Sequence, residues 1–308
     1  MKKILLILMI PSFLWAQYTD DINTNRPGKT MGAYALGRKV FQLETGLSPY
    51  YDFHHTYRTE SKAVQADLAL RYGFLSQQFE AIAEFQYQAE LYDSYRYDVE
   101  QEFRSYLKGI TIGFKYLIVD PQLDAPKKAD IYSWKNSQPN FWDMLKPAVS
   151  VYGGINYRTT DLFAQPEEAK ITPKFMLITQ NNFYQRWNLI TNIYAEKLSS
   201  DYPTYGFMVT VTHGFNRNWF AFVENQTFKN DFYSDVIFRA GAAKLISEDA
   251  QFDFSISKNI KDTPNIMYAS VGFSWRYDDA YNDVLKSRAV KFKKKKLKDK
   301  NKKKTEEL

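Results

Sequence analysis

Alternation of apolar and polar residues with a period of two is the dominant pattern along the chain. It is most regular in five stretches, at 41–48, 64–74, 79–91, 251–257 and 267–276. In the last of these, for example, Val271, Phe273 and Trp275 alternate with glycine, serine and arginine. A period of two is that of a β-strand, since successive side chains point to opposite faces. These stretches therefore predict five strands, each with one apolar and one polar face.

Seven further stretches predict strands with less regular alternation. They lie at 107–118, 147–158, 173–183, 187–197, 204–215, 218–228 and 234–246, and the sixth, ninth and tenth strands in chain order alternate least. The total is twelve, an even number, which would place both chain ends on the same side of a sheet that closes on itself.

The links between the predicted strands differ in length on the two sides. Links after odd-numbered strands, such as Asp52–Ser61, Asp93–Arg104 and Thr159–Thr172, are longer and polar, whereas four of the five links after even-numbered strands are short. The exception, Asp120–Asp143, is interpreted as a surface element against the barrel rim. Short periplasmic turns and longer outer loops are typical of an all-β antiparallel transmembrane barrel.

Composition agrees with a barrel. Past the N-terminal stretch, no apolar run approaches the roughly 18 residues that a spanning helix needs. Tyrosine and phenylalanine number 23 each, yet the mean hydropathy is -0.49. A wet interior and an apolar exterior produce this mixture, because only alternate residues face lipid.

The first residues predict a secretory signal peptide over 1–16. Met1, Lys2 and Lys3 precede the apolar run 4–10, and Ala16 provides a small residue for cleavage. The absence of cysteine excludes a lipoprotein site and disulfide bonds. The expected organisation is therefore a signal peptide (1–16), a periplasmic lead-in or plug (17–36), the barrel (37–278) and a basic, disordered periplasmic tail (279–308).

The net charge of +6 belongs to that tail. From Lys286 onward there are 12 basic and 3 acidic residues, which leaves 29 basic against 32 acidic residues in the rest of the chain. The barrel therefore has no basic surface of the kind that nucleic-acid-binding proteins show, and no nucleic-acid partner is expected. The tail is interpreted either as a solvated extension or as a contact with an anionic polymer or a periplasmic partner.

Charged residues on the polar faces of the strands are the first candidate functional residues. They are either the lining of a pore whose charges tune selectivity, or paired charges that fill the interior. The candidates are Glu44, Asp67, Arg71, Glu80, Glu84, Lys115, Arg158, Glu224, Arg239, Asp253 and Arg276.

The segment Gln17–Leu36 is the second candidate. It carries the plug candidates Asn25, Arg26 and Pro27. Either it folds into the lumen as a constriction, with Arg26 paired to acidic residues of the wall, or it is a periplasmic lead-in that docks on the rim.

Histidines provide little support for an enzyme. His54 and His55 are adjacent in a predicted loop, and no acidic or serine partner lies at a spacing typical of a catalytic site. Side chains of adjacent residues in an extended chain point to opposite faces, so the pair is also a weak candidate for a metal site. By its position in the alternation of the eighth predicted strand, the His213 side chain should face lipid. Since acid–base and nucleophilic catalysis commonly need a positioned base, we predict no catalytic residues, no metal site and no cofactor.

Three short stretches resemble one known family. They are residues 24–28 (TNRPG), 42–46 (QLETG) and 271–276 (VGFSWR). They resemble the outer-membrane transporters named for the meta-pathway of phenol degradation, over roughly residues 20–277. The family usually has aspartate where Asn25 stands, and its core does not include the lysine-rich tail. The resemblance implies a transporter barrel, and the family name implies aromatic compounds as solutes.

Together these observations predict a narrow, porin-like channel in the outer membrane of a Gram-negative cell envelope. Its solutes are expected to be small, with aromatic or hydrophobic molecules as one candidate class. The alternative is a non-conducting structural or assembly barrel that serves another machine of the envelope. The expected partners are outer-membrane lipid, the barrel-assembly machinery and an unidentified small solute. Both termini are expected in the periplasm.

Overall fold

A computed structural model of the protein describes residues 22–95, 99–121, 145–162, 168–183 and 186–278. The predicted signal peptide, the basic tail and most of the predicted surface element at 120–143 lie outside the described residues.

Twelve antiparallel strands in the described ranges form a closed barrel. Each strand pairs with its neighbours in the chain, and β1 pairs with β12, so that Phe41 lies opposite Tyr277. We call the rim at which β1 begins and β12 ends the terminal rim, and the opposite one the loop rim. The strands are β1 Val40–His54, β2 Thr59–Gly73, β3 Phe79–Ser94, β4 Val99–Val119, β5 Ala148–Arg158, β6 Ile171–Phe183, β7 Trp187–Glu196, β8 Thr204–Gly214, β9 Trp219–Lys229, β10 Ser234–Ser247, β11 Ala250–Asn259 and β12 Asn265–Asp278.

The antiparallel barrel confirms the predicted fold class, but the strands near the N-terminus are longer than predicted. β4 begins at Val99 rather than at 107, and most of the links predicted at Asp52–Ser61 and Asp93–Arg104 belong to strands. The prediction of two long loops there was wrong, because polar residues in these stretches pair across hairpins. At 15 to 21 residues, β1–β4 exceed the roughly 9–11 residues needed to cross a bilayer.

The two faces of the wall differ in polarity as the alternation predicts. On β11, outward Phe252, Phe254 and Ile256 are exposed, whereas inward Gln251 and Asp253 are buried. A closed barrel satisfies its own backbone and has no free edge, so an apolar exterior of this kind fits a lipid bilayer. No helix in the described part of the chain has the length and hydropathy to cross a membrane.

The weak alternation of β6 and β9 has a structural cause. Met176 and Ile178 on β6 point inward and belong to a buried apolar cluster inside the barrel. Phe222 on β9 is likewise buried. These strands carry apolar residues on both faces, because part of the interior is packed rather than filled with water.

A cation on the lipid side should therefore damage folding more than the loss of a charge inside. Leu68→Arg places a guanidinium on the outward face near the middle of β2, and we expect a cost of about 2–4 kcal/mol. Asp67→Asn, one residue away, loses the ion pair to the partly exposed Lys29 but keeps an oxygen that can accept from Gln65, and should cost at most about 1 kcal/mol. Folding yields measured by heat-modifiable gel mobility would test this. Equal losses in the two variants would contradict the face assignment.

Candidate functional site

Residues 22–36, which we call the inner segment, lie inside the barrel. The segment starts at the terminal rim, where the Ile22 amide donates to the Glu248 carbonyl in the β10–β11 turn. Its backbone then bonds inward-facing side chains around the wall: the Ala33 amide donates to Gln180 on β6 (3.0 Å), and Lys115 on β4 donates to the Gly32 carbonyl (3.0 Å). The chain is thus anchored to strands on different sides of the interior.

Arg26 anchors the inner segment to the wall formed by β11, β12 and β1. Its Nε and Nη2 donate to the two carboxylate oxygens of Asp253 at 3.2 and 3.1 Å, and Nη2 also reaches the Ser270 hydroxyl at 3.1 Å. Gly46 and Gly272 lie opposite each other on β1 and β12, and a Cβ on either would collide with the guanidinium. The two glycines therefore make room for a bidentate ion pair.

The residues next to Arg26 also contact β1 and β12. The Thr24 and Ser274 hydroxyls are 3.0 Å apart, the Asn25 amide donates to Glu44 (3.3 Å), and Gln42 donates to the Asn23 carbonyl (3.0 Å). The three stretches that carry the family resemblance, which are far apart in sequence, therefore form one contact region inside the barrel.

Glu224 on β9 forms a second anchor. Its carboxylate accepts hydrogen bonds from the Lys29 amide (3.0 Å), the Thr30 amide (3.1 Å) and the Thr30 hydroxyl (2.6 Å). Thr210 donates to the same carboxylate, and Arg239 forms an ion pair with it. These hydrogen bonds and the ion pair replace the hydration that the carboxylate loses on burial. They fix Lys29 and Thr30 of the inner segment to the wall.

Below the cavity, toward the terminal rim, a buried ionic network fills the interior. Arg71 Nη1 lies 2.7 Å from Glu44, and Arg71 Nε lies 2.5 Å from Glu80, which in turn is 3.2 Å from Lys115. All four side chains are almost completely buried. Buried charges that pair in this way act as packing, rather than as the lining of a wide pore.

A cavity of about 610 Å³ occupies the part of the barrel toward the loop rim. Arg26, Lys29 and Met31 of the inner segment form its floor. One wall, on β1–β4, is mostly polar and carries Ser48, Tyr50, Asp52, Gln65, Asp67, Glu84, Gln86, Gln88 and Lys108. The wall on β6–β10 includes an apolar patch of Met176, Tyr194, Met208, Phe228 and Ile237. The cavity therefore offers a polar and an apolar surface to one small molecule.

The structure places the predicted lumen residues in three zones. Asp67 and Glu84 line the cavity, as do Glu44 and Arg239, which also pair with the buried Arg71 and Glu224. Those buried beneath it or against the inner segment are Arg71, Glu80, Lys115, Glu224 and Asp253. Those at the rims are Arg158, bonded to Asp161, and Arg276, bonded to Asp249.

The plug candidates all belong to the inner segment. Asn25 accepts a hydrogen bond from the Gly32 amide (3.0 Å), which closes a loop within the segment. Arg26 forms the anchor described above, and Pro27 is buried. The segment contacts the wall inside the barrel and is not confined to the rim.

Lys108 is a cavity residue that the sequence analysis missed. By simple alternation with inward Lys115 it should face lipid, but the β3–β4 register shifts between Gln86 and Tyr87, and Lys108 is the extra residue. A β-bulge can redirect a side chain in this way. Gly109 directly after it was the available signal, since a glycine inside a strand pattern often marks a bulge.

The histidines lie away from the cavity. The His54 ring accepts from the Tyr57 amide in the turn at the end of β1, and His213 packs against Trp187 and Phe215. In the described ranges, no three histidine, cysteine, aspartate or glutamate residues are grouped in a way that could hold a metal ion.

Comparison with known proteins identifies the family. The sequence matches the family model described as "Putative MetA-pathway of phenol degradation" over residues 24–277. The chain belongs to this family. The matched range begins at Thr24, beside the Arg26 anchor, and ends at Tyr277, where β12 pairs with Phe41 of β1. A search of curated proteins finds no match for this family member.

Solved structures similar to this family member are β-barrels. The crystal structure of an outer membrane channel from Pseudomonas putida F1 has a TM-score of 0.53 at 8% identity, and the match covers 83% of this chain and 100% of that one. The CymD monoaromatic hydrocarbon channel has a TM-score of 0.43 at 8% identity, covering 78% of this chain and 89% of its own. The KdgM porin has a TM-score of 0.44 at 8% identity, covering 76% and 99%. The first of these similarities shows that the chain has the fold of an outer membrane channel.

Proposed function

We propose that this family member is a narrow outer-membrane channel for small solutes that have an apolar body and a polar group. The observation that carries the proposal is the cavity, which has a polar wall on β1–β4, an apolar patch on β6–β10 and the inner segment as its floor. The apolar exterior supports a location in the outer membrane, where barrels of this kind occur.

The size and lining of the cavity favour a small molecule. A volume of about 610 Å³ lies within the range of roughly 300–1,000 Å³ that is common for small-molecule sites. Met176 and Met208 adapt to apolar and aromatic surfaces, because the thioether side chain is flexible and polarizable. Side chains such as Gln65 and Lys108 across the cavity can bind a hydroxyl or a carboxylate. The family description refers to phenol degradation, and phenol has this combination of a ring and a hydroxyl group.

Ion currents through the purified protein in planar bilayers would test the proposal. We expect a small current through the open channel. Phenol should interrupt this current, whereas glucose at the same concentration should not. Met208→Gln should weaken the interruption by phenol about tenfold, as expected for a loss of about 1.4 kcal/mol of apolar contact. Met208→Leu keeps an apolar side chain and is the matched control. Equal interruption by phenol in both variants would contradict a role for this wall.

The orientation of the barrel is a further part of the proposal. An even number of strands returns the chain to the rim where it began, so we place both termini in the periplasm. External protease on intact cells should then cut a cleavage tag inserted between β5 and β6, and spare one placed after Leu308. The reverse pattern would show that the loop rim faces the periplasm.

A structural or assembly barrel without transport is the second candidate. It is favoured by the buried network of Arg71, Glu80 and Lys115, which packs the interior below the cavity. A folded protein that never conducts, with or without phenol, would support this candidate and overturn the channel.

A further inference from the structure

The ladder between β1 and β12 is interrupted near the middle of both strands. Leu47 pairs with Val271 and Tyr50 pairs with Tyr268, but the two positions between them on each strand do not pair, and the register does not change. Pro49 explains the gap, because proline has no N–H to donate and interrupts a ladder on one side. On its other side, Pro49 remains paired with Val64 of β2.

The gap lies between the cavity and the lipid-facing surface. Ser48, Tyr50 and Tyr268 line the cavity at this height. On the outer surface, the flanking side chains of Leu47 and Met267 are more than half exposed, as expected for residues that face hydrocarbon. At this position the wall of the barrel is all that separates the cavity from the bilayer.

The four wall positions at the gap carry small side chains, and the Arg26 guanidinium covers Ser270 from inside the barrel. The Ser48 hydroxyl donates to the Ser270 hydroxyl at 2.9 Å on the inner surface, and Arg26 donates to the same Ser270 oxygen at 3.1 Å. Pro49 and Ala269 occupy the other two positions. Separating the strands here would break few backbone hydrogen bonds, because the ladder is already interrupted.

The other route out of the cavity is unfavourable for an apolar solute. Toward the terminal rim lie the inner segment, the anchors at Asp253 and Glu224, and the network around Arg71. A molecule with an apolar body and a single hydroxyl that passed there would separate several buried ion pairs and could replace few of their hydrogen bonds, which is costly.

We propose that the gap between β1 and β12 is a lateral exit, through which an apolar solute moves from the cavity into the hydrocarbon of the bilayer. This inference rests on the proposed function, because it assumes that the cavity admits such a solute. Polar solutes and ions do not use the exit, since hydrocarbon excludes them.

A reversible crosslink across the gap is the direct test. The chain has no cysteine, so Ser48→Cys/Ser270→Cys introduces a single pair. The probe is N-phenyl-1-naphthylamine, an apolar dye whose fluorescence rises when it enters a bilayer, added to Gram-negative host cells that produce the barrel. Oxidation of the pair, verified by gel mobility, should reduce dye entry to the rate of cells without the barrel. Reduction of the same pair should restore entry.

The matched control is Thr191→Cys/Val209→Cys, a directly opposite, outward-facing pair in the uninterrupted ladder of β7 and β8. Its oxidation should leave dye entry unchanged. Pro49→Val tests the gap without a crosslink: it restores an N–H donor, and should slow dye entry while the ion current stays the same.

The outcomes separate this inference from the function on which it rests. If phenol interrupts the current and the barrel increases dye entry, but neither the crosslink nor Pro49→Val lowers dye entry, the lateral exit is wrong and the channel stands. If the wild-type barrel neither conducts nor increases dye entry, both are wrong.

Discussion

Deletion of residues 22–36 should increase the single-channel conductance several-fold. The inner segment forms the floor of the cavity and contacts strands on several sides of the interior, including β4, β6, β9 and β11. A barrel of twelve strands lies between eight-stranded barrels, which side chains just fill, and the wide barrels of porins. Without the segment, water and ions should occupy the vacated space. The measurement is the open level in planar bilayers, at one salt concentration for both proteins.

The deletion variant must first be shown to fold, by its heat-modifiable gel mobility. The strand ladders contain no residue of the deleted range, so we expect insertion to be retained. Arg26→Ala is the matched point variant. It removes the ion pair to Asp253 but keeps the inner segment. We therefore expect brief transitions to higher conductance levels rather than one large, steady conductance. Unchanged conductance in a folded deletion variant would mean that the segment does not limit flow.

Arg71→Ala should destabilise the barrel by about 3–5 kcal/mol, because removing one member of a buried ionic network leaves the remaining charges uncompensated. The charges left behind would be the carboxylates of Glu44 and Glu80, both buried and both bonded to Arg71. Urea unfolding of the protein reconstituted in lipid, compared with wild type, measures the loss of stability.

Arg217→Ala provides the matched control for Arg71→Ala. Arg217 lies 3.4 Å from Glu248, and the two side chains are 73% and 49% exposed. Exposed pairs of this kind contribute at most about 1 kcal/mol. If the two alanine variants lost equal stability, water would have to reach the Arg71 network, and the interior below the cavity would not be packed.

The sequence alone determined the number and order of the strands and, where the alternation is regular, the face to which each side chain points. In β11 and β12, strict alternation predicted which residues point inward, because a shift by one residue would turn every apolar side chain into the interior. The alternation of the last stretch and the basic tail after it placed the end of the barrel near residue 278, and in the structure Tyr277 of β12 pairs with Phe41 of β1. These features are local in the sequence, or depend on a period of two.

The tertiary structure alone decided how the interior is filled. Arg26 forms an ion pair with Asp253, which lies 227 positions later in the chain. The guanidinium lies against Gly46 and Gly272, and no local sequence pattern indicates that these glycines make room for an arginine. The Lys108 side chain points into the cavity only because a β-bulge in β4 interrupts the regular alternation of inward and outward residues. Met176 and Ile178 on β6 and Phe222 on β9 made the alternation of these strands look weak, although the three side chains are buried inside the barrel. Periodicity assigns a residue to a face, but its partner on that face depends on which distant strands and loops meet there, and this requires the closed barrel.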